Sequence, residues 1–294
     1  MTAMVIFSSS ENFEPLHETL ASSGLKIDLL ITECPKPAGR GLKVCQNPAH
    51  HFAEKKSIKI FCPEKLDQEF ALKLEELIKQ NKIKLGLISA YGKIIPQNII
   101  DLFPRGIINI HPSLLPKYRG CSPITAAILN GESETGYSFL LTNKSCDCGP
   151  ILANGKIKIS PDDTHTTLKT KIFKAAHAKL PEIINKYLKD EIRPTTQSNK
   201  NSSYTPKIKK SDGLISENGT AEIADRKIRA FNEWPRAFIK TDDKRIIIHK
   251  AKARNGFLSL EEVQVEGKNK INFSDFKRGY AYLLTKLPKF VKID

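Results

Sequence analysis

The sequence predicts an α/β protein: a Rossmann-like, mostly parallel sheet makes up the larger part, and a second, smaller β-rich domain follows it. Three observations carry this. Over the first two hundred of 294 residues, short apolar runs alternate with stretches of helical periodicity, the pattern of a parallel sheet built from strand–helix units. From about residue 135 longer strand-like runs follow, which fits an antiparallel edge. Residues 193–213, RPTTQSNKNSSYTPKIKKSDG, are polar, poor in aliphatics and punctuated by proline, as a linker is. A boundary near residue 203 therefore separates domains of 1–203 and 204–294.

In chain order, MVIF (4–7), IDLLIT (27–32), IKIF (58–61), LGLISA (85–90) and GIINI (106–110) are short apolar runs and predict strands. Helical spacing is expected near 13–23, 66–80 and 95–102, the second from Leu72, Leu74 and Leu77. TGYSFLLTN (135–143) and PILANGKIKIS (150–160) predict longer strands, and 165–189 a helix. Past the boundary, AEIADRKIRAFNEWPRAF (221–238) opens as a helix with Ile223, Ile228 and Phe231 on one face. RIIIHKA (245–251) and GFLSLEEVQVEGK (256–268) then predict β structure.

The net charge of +15 is uneven: residues 1–203 carry 27 basic and 20 acidic groups, and 204–294 carry 20 and 12. A polyanionic partner would explain this; so would a lysine-rich soluble surface, and composition alone balances the two. Six cysteines are scattered without a disulfide framework, and the Met1-Thr-Ala-Met-Val start has no basic, then apolar, leader pattern. Reducing cytoplasm is the expected compartment. No apolar run approaches the ~20 residues of a membrane span, so no membrane role is expected. Cys146-x-Cys148 is spaced more tightly than zinc pairs and no second pair follows, so no metal is expected.

NIHPSLLPKYRG (109–120) sits at the carboxyl end of a predicted central strand, where open parallel sheets present their ligand sites. Asn109 and His111 are two residues apart, so in an extended segment both side chains point to the same side. Pro112 favours extended backbone at His111. Taken alone, N-x-H reads more readily as a capping asparagine and a satisfied histidine at a strand end than as a site.

NIHPSLLPKYRG together with SCDCGPIL (145–152), in that order, resembles the folate-dependent formyltransferases, whose signatures are N-x-H-x-S-L-L-P-x-x-R-G and D-x-G-x-(I/L)-L. Asp147 lies thirty-six residues beyond His111, as in that family. TECPKPAGRGLKV (32–44), YTPKI (204–208), IRAFNEWPRAF (228–238) and VEGKNKINFSDFKRG (265–279) are similar to segments of its methionyl-tRNA branch, so the resemblance covers most of the chain.

The resemblance implies transfer of a formyl group from 10-formyltetrahydrofolate to the α-amine of methionyl initiator tRNA, without metal or acyl-enzyme. It makes Asn109, His111 and Asp147 the catalytic set. Ser113, Leu114, Leu115 and Pro116 match the folate-contacting turn, and AYGKIIP (90–96) adds Tyr91 and Gly92 near the pterin pocket. Arg40, with Lys36 and Lys43, is implied against the tRNA acceptor end, where arginine pairs with phosphate and stacks on bases. This loop lacks the G-x-x-x-x-G-K-[ST] pattern of a nucleotide P-loop. A cytoplasmic monomer is expected, with tRNA and folate as partners and no DNA.

The chain departs from the family pattern twice. FSSSENFEP (7–15) stands where a G-T-P type turn is usual, and barrel segments are missing between HKAKARN and GFLSLEEVQVEGK, which implies a shortened OB-like barrel. The alternatives are a formyltransferase acting on an amino-sugar nucleotide or purine precursor, a formyltetrahydrofolate hydrolase, and an inactive RNA-binding module.

Overall fold

The structure is a computed structural model and describes residues 2–38, 43–241 and 244–293. The chain divides into two compact units. One comprises Met1–Arg119, Gly136–Lys156 and Ile172–Ser203; the other comprises Gly120–Thr135, Ile157–Lys171 and Tyr204–Asp294. The second unit therefore takes in two segments that precede the linker.

The strands up to the linker are β1 (Thr2–Phe7), β2 (Leu25–Ile31), β3 (Lys36–Ala38), β4 (Lys43–Cys45), β5 (Lys59–Phe61), β6 (Leu85–Ile88), β7 (Ile107–His111), β8 (Arg119–Gly120), β9 (Glu134–Leu141) and β10 (Ile151–Lys158). The helices are α1 (Phe13–Ser22), α2 (Pro48–Lys55), α3 (Gln68–Gln80), α4 (Gln97–Ile100), α5 (Pro123–Leu129) and α6 (His165–Leu188). Seven strands form one sheet in the order β10-β9-β7-β6-β1-β2-β5. Strands β5, β2, β1, β6 and β7 pair in parallel, and β9 is antiparallel to β7. This is the mixed sheet the sequence predicts.

The sheet is covered on both faces, which is why its strands read as continuous apolar runs. Met4, Val5, Ile6 and Phe7 are all fully buried, although successive side chains alternate faces. Val5 and Phe7 pack with Phe70, Leu74 and Leu77 of α3 and Ile99 of α4. Each such side chain contributes about 1.5–3 kcal/mol by leaving water. Helix α3 starts where the Asp67 carboxylate accepts from Phe70 N at 3.0 Å. Leu72 does not belong to its buried face: it is 57% exposed, while Phe70, Ala71, Leu74, Leu77 and Ile78 are buried. Two residues along a helix turn the side chain through roughly 200°, so Leu72 and Leu74 cannot share a face. Along α6, Leu168, Ile172, Ala176, Leu180 and Ile184 recur every fourth position, each fully buried.

The segment 32–44, read as a loop, has ribbon arms: β3 pairs with β4 antiparallel, Lys36 opposite Cys45. Helix α2, absent from the sequence-based expectation, follows. Pro48 opens it, and Asn47 caps it by accepting from His50 N at 3.0 Å.

In the second unit, α7 (Ala221–Ala230) packs with a sheet that follows the two-residue strand β11 (Tyr204–Thr205). That sheet consists of β12 (Ala237–Lys240), β13 (Arg245–Arg254), β14 (Phe257–Val265), β15 (Lys270–Asn272) and β16 (Val291–Lys292), with α8 (Phe273–Gly279) before the last strand. Strands β12 to β15 are antiparallel neighbours, and β16 runs parallel to β14. Asn255 and Gly256 join β13 directly to β14. Both have positive φ (52° and 77°), the geometry of a two-residue hairpin turn. Ile223 of α7 is half exposed, at 50%, while Ile228 and Phe231 are buried. Five residues turn a helix through about 500°, which takes Ile223 off the face of Ile228.

The two early segments join this unit through polar contacts as well as packing. Arg229 Nη1 donates to Asp163 O at 3.0 Å, and Asn232 Nδ2 donates to Thr166 Oγ1 at 2.7 Å. The Arg226 guanidinium packs over Gly131, 2.4 Å from where a Cβ would stand, and the φ of +68° at Gly131 is one that side chains rarely adopt. Among the described residues no helix is long and apolar enough to cross a membrane.

Candidate active site

Strand β7 lies between β6 and β9, and its carboxyl end carries Asn109 and His111. The extended backbone sends both side chains the same way, and a third group meets them there. Asn109 Nδ2 donates to Asp147 Oδ1 at 3.2 Å, and His111 Nδ1 lies 3.5 Å from that same oxygen. The His111 and Asp147 side chains are only 5% and 11% exposed, so these interactions are weakly screened.

The imidazole's other nitrogen fixes its tautomer. His111 Nε2 is 2.9 Å from Tyr118 O, and a carbonyl oxygen only accepts, so Nε2 carries a proton. The nitrogen left for proton exchange is Nδ1, beside Asp147. Tyr118 turns its carbonyl there by adopting φ +61°, a conformation that costs a non-glycine residue about 1–2 kcal/mol. Hydrogen bonds at both ends offset the strain: Tyr118 N donates to Ser203 Oγ at 2.8 Å, and its carbonyl accepts from His111.

Residues 113–118 form a tight turn beside these groups. Ser113 is fully buried, with its hydroxyl donated to Lys117 O at 2.7 Å, and Leu115 is 5% exposed. Ser138, opposite His111 on β9, donates its hydroxyl to Ser113 O at 2.8 Å and accepts from Leu115 N at 3.1 Å. Leu114 and Pro116 are half-buried, and Leu114 packs against Gly136, where a Cβ would lie 2.0 Å from Gly155 O.

Asp147 sits on a turn after β9 at φ +52°, a value aspartate tolerates better than most residues. Cys148 N donates to Ser145 O at 3.2 Å, and the Cys146 thiol donates to Asp147 Oδ2 at 3.3 Å. Gly149 is obligatory, because a Cβ there would lie 1.7 Å from Leu141 O. A residue unmarked by sequence holds this turn from outside: Gln197 Nε2 donates to Asp147 O at 2.8 Å and to Gly149 O at 2.7 Å. The Gln197 carbonyl accepts from Arg119 Nε and Nη2, and Arg119 is 1% exposed. Ser138 and Gln197 carried no sequence signal beyond a polar residue in an apolar strand and a glutamine in a polar linker.

Tyr91 and Gly92 follow β6. The Tyr91 ring packs edge-on against Phe7 at 5.7 Å, and its phenol is buried without a hydrogen-bond partner among the described residues. Burial, then the charges of Glu33 and the Cys34 and Cys62 thiols, push its pKa well above the usual phenol range, so it stays a donor. Gly92 faces Glu33, whose carboxylate would be 2.2 Å from a Cβ at that position. The serine turn after β1 is tied down by its own hydroxyls. Ser9 Oγ lies 3.1 Å from Thr32 Oγ1 and accepts from Glu33 N at 3.1 Å, and Ser10 Oγ accepts from Asn12 N.

Lys36 is exposed and ion-paired with Glu33. Arg40 lies outside the described residues, as does the Lys43 side chain. All six cysteines are free thiols, and among the described residues no group of three or more His, Cys, Asp or Glu converges as a metal site.

The model of the formyl transferase family matches residues 1–184, and that of the formyl transferase C-terminal domain matches residues 207–257. The chain belongs to the formyl transferase family and carries both of its domains. Its relatives include the methionyl-tRNA formyltransferase of Dictyoglomus thermophilum, 34% identical over 94% of this chain and 96% of that protein. The methionyl-tRNA formyltransferase of Wolbachia pipientis subsp. Culex pipiens is 35% identical over 90% and 91%. Among solved structures, the methionyl-tRNA formyltransferase from Clostridium thermocellum superimposes with a TM-score of 0.61 at 19% identity, covering 90% of this chain and 98% of that one. An N-formyltransferase from Helicobacter canadensis, solved with folinic acid and dTDP-3-aminofucose, gives 0.68 at 20% identity over 92% and 99%. At these identities the structural likeness concerns the fold.

Proposed function

We propose that the chain transfers the formyl group of 10-formyltetrahydrofolate to the α-amino group of methionyl initiator tRNA, with Asn109, His111 and Asp147 carrying the chemistry. The observation that carries this is the convergence of Asn109 Nδ2 and His111 Nδ1 on one oxygen of Asp147, at the carboxyl end of the sheet. The acceptor is assigned from the relatives that match nearly the whole chain and from the basic excess of 204–294, which supplies a surface for tRNA phosphates.

The α-amine needs little activation, since its pKa near ~7.7–8.0 leaves much of it neutral at physiological pH. Its attack on the formyl carbon puts negative charge on oxygen. Asn109 Nδ2 has two N–H groups; one goes to Asp147, and the second is directed at that oxygen. His111 takes up at Nδ1 the proton the amine loses on attack and delivers it to the folate nitrogen as the formyl carbon–nitrogen bond breaks, while Asp147 stabilises the imidazolium between the two transfers. Asp147 thus serves both partners.

The residues fit a folate-type donor. Tyr91 supplies a buried phenol with no partner among the described residues, and Leu114 and Pro116 offer an apolar edge on a turn fixed by Ser113 and Ser138. Lys36, Lys43 and Arg40 are assigned to the tRNA acceptor end, in an enzyme of the cytoplasm.

The experiment is formylation of methionyl initiator tRNA by the purified full chain with 10-formyltetrahydrofolate, following N-formylmethionyl-tRNA. Absence of product with well-charged tRNA and active folate refutes the assignment. Formate release without acceptor, or formylation of an amino-sugar nucleotide alone, would replace it.

A further inference from the structure

Residues 195–203 read as linker, yet they are bonded to both walls of the site. Thr195 exchanges both backbone hydrogen bonds with Ile151, at 2.8 Å each. Gln197 holds the carbonyls of Asp147 and Gly149. Ser203 accepts from Tyr118 N at its hydroxyl and from Arg119 N at its carbonyl (2.8 Å), and its own N–H donates to Pro116 O at 3.3 Å. One short stretch of chain thus ties the turn that carries Asp147 to the turn whose carbonyl orients His111.

We propose that this stretch is a strap that sets the catalytic geometry, and that Gln197 is a positioning residue for Asp147. The proposal rests on the assignment of Asp147 to the chemistry.

The chemistry of Gln197 leaves one arrangement. Arginine only donates, so the oxygen of the Gln197 amide must face Arg119, at 3.0 and 2.8 Å from Nε and Nη2. The NH₂ group must then face the two carbonyls, and both of its hydrogens are used. Arg119 is itself fixed, by burial and by Nη1 donating to Asn199 Oδ1 at 3.0 Å. The Asp147 backbone is therefore referenced through two side chains to the same segment that orients His111. Asp147 Oδ1 must serve two partners at once, at 3.2 and 3.5 Å, and a displacement of about 1 Å at such a group typically costs on the order of 10²-fold in rate.

Gln197→Glu tests this with little change of shape. The new carboxylate still accepts from Arg119, but it presents oxygen in place of both N–H donors to the two carbonyls. Gln197→Met keeps the length and removes donors and acceptor alike, as a second variant should the first fail to fold. Two readouts apply to the full chain: steady-state formylation with methionyl initiator tRNA, and hydrogen exchange at Cys148 and Ile151. The expected result is kcat lowered about 30-fold or more, KM for 10-formyltetrahydrofolate within about threefold of the parent, and exchange at Cys148 faster by about tenfold. Unchanged kcat or unchanged exchange in a folded variant overturns the proposal, as does a loss confined to KM. A parent chain inactive on methionyl-tRNA refutes the assigned reaction instead, and the exchange measurement then decides the strap by itself.

Discussion

Asp147→Asn removes a charge while leaving the shape of the side chain nearly intact. At 3.5 Å from His111 Nδ1, the carboxylate attracts an imidazolium by about 4–5 kcal/mol at the effective dielectric of ~20 that suits such pairs. The Asp147 side chain is 11% exposed, so solvent screens only part of this. The amide retains a neutral hydrogen bond, worth about 1 kcal/mol, which leaves about 3–4 kcal/mol withdrawn from the step in which His111 is charged. At 1.36 kcal/mol per decade, kcat is expected to fall by about 10²–10³. KM for folate and for tRNA should stay within a few-fold, because neither ligand is assigned a ground-state bond to this charge. The assay is initial-rate formylation at varied folate and varied tRNA, with thermal unfolding confirming the fold. A loss under tenfold, or one expressed in KM, would refute the electrostatic role of Asp147.

Three further outcomes follow from other parts of the molecule. Tyr91→Phe should raise KM for 10-formyltetrahydrofolate by several-fold without lowering the melting temperature, because the phenol is a buried donor without a partner among the described residues; a loss of stability with unchanged KM contradicts this. Gly149→Ala should destabilise by more than about 2 kcal/mol in denaturant unfolding, since its Cβ would overlap Leu141 O at 1.7 Å; a near-neutral result would mean the turn moves freely. His177 is 2% exposed, with neither ring nitrogen partnered among the described residues, and burial pushes its pKa down to about 4. In the unfolded chain it titrates near ~6.5, so between these values the unfolded state binds more protons and stability falls as pH falls. Up to about 3 kcal/mol is present above pH ~6.5 and lost on acidification toward pH ~4. His177→Leu should flatten that limb of the stability curve, and an unchanged acid limb would assign acid unfolding to other groups.

Much of the fold is legible in the residues because its driving pattern is local. The runs at 4–7, 27–32, 58–61, 85–90 and 106–110 fall within or beside β1, β2, β5, β6 and β7, since strands buried on both faces must be apolar throughout. Ile223 and Leu72 were misplaced because approximate helical spacing does not say which side faces the core; exposure of 50% and 57% does. Helix α2 is short, with only Ala49, Phe52 and Ala53 on its buried face, so its start is marked mainly by Asn47 and Pro48. The ribbon arms β3 and β4 lie in a segment read only as a loop, because three-residue strands carry no apolar alternation to mark them.

The same division holds at the site. Asn109 and His111 share a side because the period of an extended strand is two, which sequence alone dictates. Family resemblance to the D-x-G segment supplied Asp147, but its meeting with the other two at Oδ1 depends on where the chain returns after β9. The working nitrogen of His111, the hydroxyl bridge of Ser138 and the amide clamp of Gln197 were decided only by tertiary structure. Each depends on partners 7 to 50 residues away in the chain. No local pattern encodes such pairings, because a buried polar group takes whichever donor or acceptor the fold brings within about 3 Å. By itself, then, the sequence determined the sheet, the family and the two residues at the strand end. The fold decided which atoms those residues present to a substrate.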